Sequence, residues 1–183
     1  MRFPRATHLV VLCSGPTEKI LRGIRIVLAG LRLRLSEEKT RVVEAREESF
    51  NFLGYTVQAV KHPETGKVFA LIRPSHKAMV RVKAEMKALT CRKALWLPTE
   101  VVIGKLNELV RGWVGYFYYG NCSRPLAKIK HFLEERVRIY LRRKHRQARK
   151  GYRSVEFLYG DLGLYKIPTT APWTQTAKAA GRR

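Results

Sequence analysis

The pattern of apolar and polar positions changes period near residue 73. Before that point, short apolar runs alternate with turn signals. Leu9 to Leu12 reads as a short buried strand, broken by Ser14-Gly15-Pro16. Thr17 is placed to cap a helix in which Ile20, Leu21, Ile24, Val27, Leu28 and Leu31 recur at helical spacing, with Gly30 near its end. Leu33–Leu35 and Thr40–Val43 are candidate strands around a Glu37-Glu38-Lys39 turn. Phe50–Val60 and Lys67–Ile72 form a hairpin pattern about Pro63-Glu64-Thr65-Gly66.

After Arg73-Pro74-Ser75 the period is helical. Ser75 is a cap for a helix with Met79, Val82, Met86 and Leu89 on one face and Lys77, Arg81 and Lys87 on another. A linker, Cys91 to Pro98, follows. Thr99 is then the expected cap of a helix with Val102, Leu106, Leu109, Trp113 and Phe117 inward and Gly120 as its stop. A further helix turns Leu126, Ile129, Leu133, Val137 and Tyr140 inward. The fold class is α+β: a small βα piece followed by three helices. The last dozen residues have the composition of a disordered tail.

Charge sharpens this picture. The chain of 183 residues has 37 Lys+Arg against 14 Asp+Glu, a net +23. Residues 1–36 carry +6, residues 37–72 carry −1, and residues 73–183 carry +18. The positive field belongs to the helical part, and a one-signed field of that size attracts polyanions, of which nucleic acid is the commonest. The run Arg142-Arg143-Lys144-His145-Arg146, continued by Arg149-Lys150, is its densest point. In the aromatic stretch Arg111 to Tyr119, Trp113 and Phe117 fall on the apolar face. Tyr116 and Tyr119 fall elsewhere and suit base contact. Gly112-x-x-Gly115 suits helix packing better than a phosphate clamp.

Other chemistries are poorly supported. Asp161 is the only aspartate, which argues against two-metal phosphoryl transfer. The five histidines have no paired metal spacing, and Glu37-Glu38 and Glu47-Glu48 read as solvated turn residues. Cys13, Cys91 and Cys122 are odd in number and form no Cys-x-x-Cys, which fits a reducing, cytoplasmic compartment and no disulfide framework. The apolar start is too short for a secretion signal and no run is long enough to span a membrane.

The stretches Val10–Cys13, Gly30-Leu-Arg-Leu-Arg-Leu-Ser-Glu-Glu-Lys-Thr40 and Phe50-Asn-Phe-Leu-Gly-Tyr55 together resemble the end of the palm in group II intron reverse transcriptases. Arg73-Pro74-Ser75-x-Lys77, Arg111-Gly112-Trp113, Tyr116-Phe117 and Tyr119-Gly120-Asn121, with Phe157 and Gly163-Leu164-Tyr165, resemble the maturase-specific region (domain X, the thumb). The resemblance covers residues 9–167 and implies a palm remnant at 1–72, a three-helix thumb-like maturase domain at 73–167 and a disordered tail at 168–183. Phe52, Leu53, Gly54 and Tyr55 would be the primer-grip-like residues.

The departures define the expected function. Where the family has a Tyr-Ala-Asp-Asp turn, this chain has Arg5-Ala6-Thr7-His8, so both metal-binding carboxylates are replaced. Fingers and most of the palm would lie upstream of Met1. The family is an RNA-directed DNA polymerase, yet no catalytic or metal-ligating residue is assigned here, and Mg²⁺ would enter only through an RNA partner. The resemblance implies a module that binds structured RNA, specifically group II intron RNA, and helps it fold for splicing. The implied contacts are Lys77, Arg81, Arg111, Tyr116, Tyr119, Arg124, Lys128, Lys130, Arg142, Arg143, Lys144, Arg146, Arg149 and Lys150. The alternative is a non-functional or trans-complemented polymerase fragment. The missing palm would leave an open sheet edge and uncovered Leu, Ile and Val side chains, to be covered by a second copy or a palm-supplying chain.

Overall fold

The computed structural model describes residues 9–146 and 154–170. The fold is α+β, with a small antiparallel sheet beside a helical unit. Leu9–Leu12 is not a strand: these residues have no regular structure and lie exposed, Leu12 at 80%. A strand needs a neighbour for its N–H and C=O groups, and none pairs with this segment among the described residues. Leu33–Leu35 and Thr40–Val43 also fail to form strands, leaving only a 3-10 turn at Glu37–Lys39. The first helix, α1 (Thr17–Gly30), forms as its spacing predicts but buries none of its residues fully. Ile26, Val27 and Leu31 stay exposed, so the expectation of uncovered aliphatic side chains at this end holds.

The predicted hairpin is present with one more turn than expected. Strands β1 (Phe50–Phe52), β2 (Tyr55–Lys61) and β3 (Val68–Pro74) pair in that order, all antiparallel. Leu53 and Gly54 form a two-residue connection with φ of 47° and 82°, opposite the Phe52–Tyr55 pair. Both residues in the left-handed region give the turn whose twist matches the strands. The leucine is the costly member, and both turn carbonyls are held: Tyr116 Oη donates to Leu53 O at 2.9 Å and Ser75 N to Gly54 O at 2.8 Å.

Three helices build the core: α2 (His76–Leu89), α3 (Thr99–Phe117) and α4 (Ser123–Lys144). Ser75 caps α2 as expected, its Oγ accepting from Ala78 N at 3.2 Å. Thr17 and Thr99 do not cap. Each is the first residue of its helix, behind an extended Pro16 or Pro98 that has no side-chain acceptor to offer. The inward face of α4 is the predicted one, with Leu126, Ile129, Leu133, Val137 and Tyr140 wholly buried. On α3 the buried stripe also takes Ile103, Val110 and Val114, while Leu109 and Trp113 lie at its margin. A 3-10 turn, Arg92–Trp96, fills the expected linker.

The segment 154–170 belongs to this core. Leu158, Leu164 and Ile167 are buried against it, each contributing about 1.5–3 kcal/mol of burial. Asn107 holds the strap from both sides: its Nδ2 donates to Gly163 O at 2.8 Å and its Oδ1 accepts from Tyr165 N at 2.7 Å. Tyr118 Oη donates to Thr170 O at 2.8 Å, so a disordered tail beginning at 168 starts too early. Residues 171–183 lie outside the described residues.

The sheet is fixed to the helices at the end of α3. Asn121 N donates to Ile72 O at 2.6 Å, and Ile72 N donates back to Asn121 Oδ1 at 3.2 Å. Gly120, at φ 72°, allows this approach: a Cβ there would stand 2.5 Å from Ile72 O. Tyr55 Oη donates to Tyr116 O, and its ring lies 5.0 Å from that of Phe117.

Candidate nucleic-acid interface

The basic residues singled out in the sequence do not form one surface. The structure divides them among four places, by helix rotation.

The first is the groove between α2 and α4, about 580 Å³, lined by Lys83, Ala127, Lys128, His131, Phe132 and Glu135. Lys83 and Lys87 both sit over the Phe132 ring, their Nζ atoms 5.2 and 5.9 Å from its centre. Lys87 therefore does not share a face with Lys77 and Arg81. At 100° per residue it lies about 80° around α2 from Lys77 and about 120° from Arg81. On α4, Arg124, Lys128, His131, Glu135 and Arg142 follow spacings of four, three, four and seven, which places them along one outward stripe. Lys83, His131 and Phe132 are the residues the sequence reading missed. The available signal was Lys83–Lys87 at i,i+4, away from the Met79–Val82–Met86 face.

The second place is the C-terminal end of α4. Arg142, Arg143 and Arg146 are exposed there, where cations also complement the helix dipole. Lys144 is different: its Nζ donates to Leu95 O at 3.0 Å and also to Leu97 O, closing the preceding connection. Beside it, Arg136 donates to Thr90 Oγ1 at 2.8 Å and Thr90 O at 3.2 Å. Burial, and then the positive charge of Arg143, pull the Arg136 pKa below its ordinary value. Arg149 and Lys150 lie outside the described residues, as do Arg5–His8.

The third place is the strap side. Arg111 lies over Tyr165 at 5.3 Å and Lys130 over Tyr159 at 5.9 Å. Both cations thus share their charge with an aromatic face of the same chain. Tyr159 Oη donates to Glu134, which also pairs with Arg138 at 3.6 Å. Burial, reinforced by the bond to Glu134, raises the Tyr159 pKa well above that of free tyrosine.

The fourth place is the groove between α2 and α3, about 590 Å³, which takes Lys77, Arg81 and Tyr116 together with Leu53 and Gly54 of the hairpin turn. Tyr116 is 51% exposed and Tyr119 66%. Phe52 and Tyr55 are half-buried in the hairpin. Burial, then the neighbouring Tyr116, raise the Tyr55 pKa. Gly112 and Gly115 are part of α3, and a Cβ at either would meet nothing within 4 Å, so they mediate neither a phosphate loop nor close helix packing.

Cys13, Cys91 and Cys122 are all free thiols, and burial raises the pKa of Cys122. Among the described residues no three His, Cys, Asp or Glu side chains come together as metal ligands, and no helix is long and apolar enough to cross a membrane.

A basic three-helix unit, closed by a C-terminal strap and carrying a hairpin on the end of α3, is the class of structure defined here. Residues 79–156, most of that unit, match the family model of the group II intron maturase-specific domain. Its function is accordingly maturase-related. A search of the curated proteins finds no match.

Proposed function

We propose that this protein is an RNA-binding module that engages group II intron RNA and supports its folding for splicing, without polymerase activity of its own. The observation that carries the reading is the outward stripe Arg124–Lys128–His131–Arg142 on α4, interrupted by Glu135, in which Lys128 and His131 line the α2–α4 groove with Lys83 while Lys87 sits over the same Phe132 ring, within the part of the chain that matches the maturase-specific domain. Cations spread along a helix contact several phosphates at once, and each contact releases counterions. The protein supplies charge and shape. Mg²⁺ and the bond-making chemistry belong to the RNA.

Competition binding at physiological salt tests this reading. The purified chain is expected to prefer a group II intron RNA from the same genome over an unrelated structured RNA of equal length by at least about tenfold. Equal, steeply salt-sensitive binding to both would reduce the function to charge alone.

The uncovered Leu9–Leu12 segment and the apolar flank of α1 favour a second chain at that end of the molecule, either a palm-supplying chain or another copy.

A further inference from the structure

We infer that the groove between α2 and α3 receives one unpaired nucleotide of the bound RNA. The inference deepens the RNA-binding reading and rests on it.

The groove has two unlike walls. On the α3 side lie Trp113 and Tyr116, part of an aromatic cluster in which both rings approach Phe117, with centres 4.7 and 4.8 Å from it. Tyr116 is half-exposed, and its hydroxyl is fixed on Leu53 O, which holds the ring in place against the hairpin turn. On the α2 side lie Lys77 and Arg81, both exposed. A fixed aromatic face opposite the exposed ammonium of Lys77, with Arg81 beside it shared with Glu85, is what a base with its own phosphate requires. Stacking on an aromatic face needs no particular base, and the phosphate is met by the ammonium and guanidinium groups. Base pairs inside a duplex expose no face to such a wall, so only a nucleotide outside a helix fits.

Two carboxylates set the orientation. Glu85 is already engaged by Arg81 at 2.9 Å. Glu108, on α3, makes no ion pair among the described residues and lines the groove. It repels a phosphate and accepts from an exocyclic amino group, so the base lies toward α3 and the phosphate toward α2. The indole N–H of Trp113 is covered and has no acceptor among the described residues, so the ring face, not the N–H, does the holding.

Gly112 makes the groove testable. It lies in the floor, it is helical, and a Cβ there meets nothing within 4 Å. Gly112→Leu therefore starts its side chain in open space at the groove, and it raises helix propensity. The probes are a short unstructured single-stranded RNA and the same sequence paired in a duplex. Tryptophan fluorescence is read in an otherwise native chain carrying Trp96→Phe and Trp173→Phe, so that Trp113 reports alone.

The single strand is expected to quench Trp113 and the duplex to leave it unchanged. Gly112→Leu is expected to abolish the quenching and to weaken single-strand binding at least about fivefold, the lower end of what one stacked base contributes. Duplex affinity should move by less than about twofold, within the scatter expected of an uninvolved site. If both RNAs bind the native chain but Trp113 is not quenched, the inference fails and the RNA-binding reading stands. Equal weakening of both RNAs by Gly112→Leu, or of neither, overturns it in the same way. If neither probe binds the chain, the inference fails, and the RNA-binding reading is decided by the competition with intron RNA.

Discussion

Changing Arg142, Arg143 and Arg146 together to alanine is expected to weaken binding to structured RNA by more than about tenfold at moderate salt, and to lower the slope of log affinity against log salt by about two to three. The three guanidinium groups are exposed at the end of α4. None has a described anionic partner that would compete with a phosphate. Removing an exposed charge costs little stability, so the melting temperature should scarcely move. Lys144 is the internal control. It stands in the same basic run, but its ammonium is bonded to Leu95 O and Leu97 O. Lys144→Ala should cost about 1.5–3 kcal/mol of stability, as for a hydrogen bond to a charged group, while changing the salt slope less than the triple variant does. An unchanged slope in the triple variant would move the RNA surface away from this end of the helix.

Gly120→Ala is expected to detach the sheet from the helical unit. The new methyl would stand 2.5 Å from Ile72 O and 2.9 Å from Ile72 Cβ, at a φ of 72°. The left-handed backbone costs an alanine about 1–2 kcal/mol, and forcing backbone apart adds about 1–3 kcal/mol. The Asn121–Ile72 pair is then lost or stretched, because it depends on that approach. Hydrogen exchange at the Ile72 and Asn121 amides should accelerate roughly thirtyfold or more, while the amides of α4 keep their protection. The same change at Gly104 is the control. Its Cβ meets nothing, and there alanine should add up to about 1 kcal/mol. Unaltered exchange at Ile72 would show that the sheet is not held at this joint.

The helical unit was legible because its signals are local. Ser75, the 3.6-residue period of α4 and the Leu-Ile-Leu-Val-Tyr stripe each depend on residues within one helix, and the packing agrees with them. The strands before residue 50 were not legible, because an apolar run is a strand only if another strand lies beside it. Leu9–Leu12 has the right composition and no neighbour. The strap at 154–170 was hidden for a related reason: its π-helical turn and extended part have no periodicity, and its order comes from Asn107 and Tyr118 more than fifty residues away. The site was half legible. Charge located the helical part, but the basic residues divide among faces that only the rotation of each helix decides. That rotation separates Lys87 from Lys77 and Arg81, and turns Lys144 inward while Arg142 and Arg143 face out.

The most direct test of the account is a lysine acylation map of the full chain with and without group II intron RNA. Bound RNA is expected to protect Lys83, Lys87 and Lys128 around the α2–α4 groove, and to leave Lys19, Lys39 and Lys61 of the α1 and sheet region labelled as in the free protein. Protection spread evenly over all six lysines, or confined to the α1 and sheet region, would contradict it.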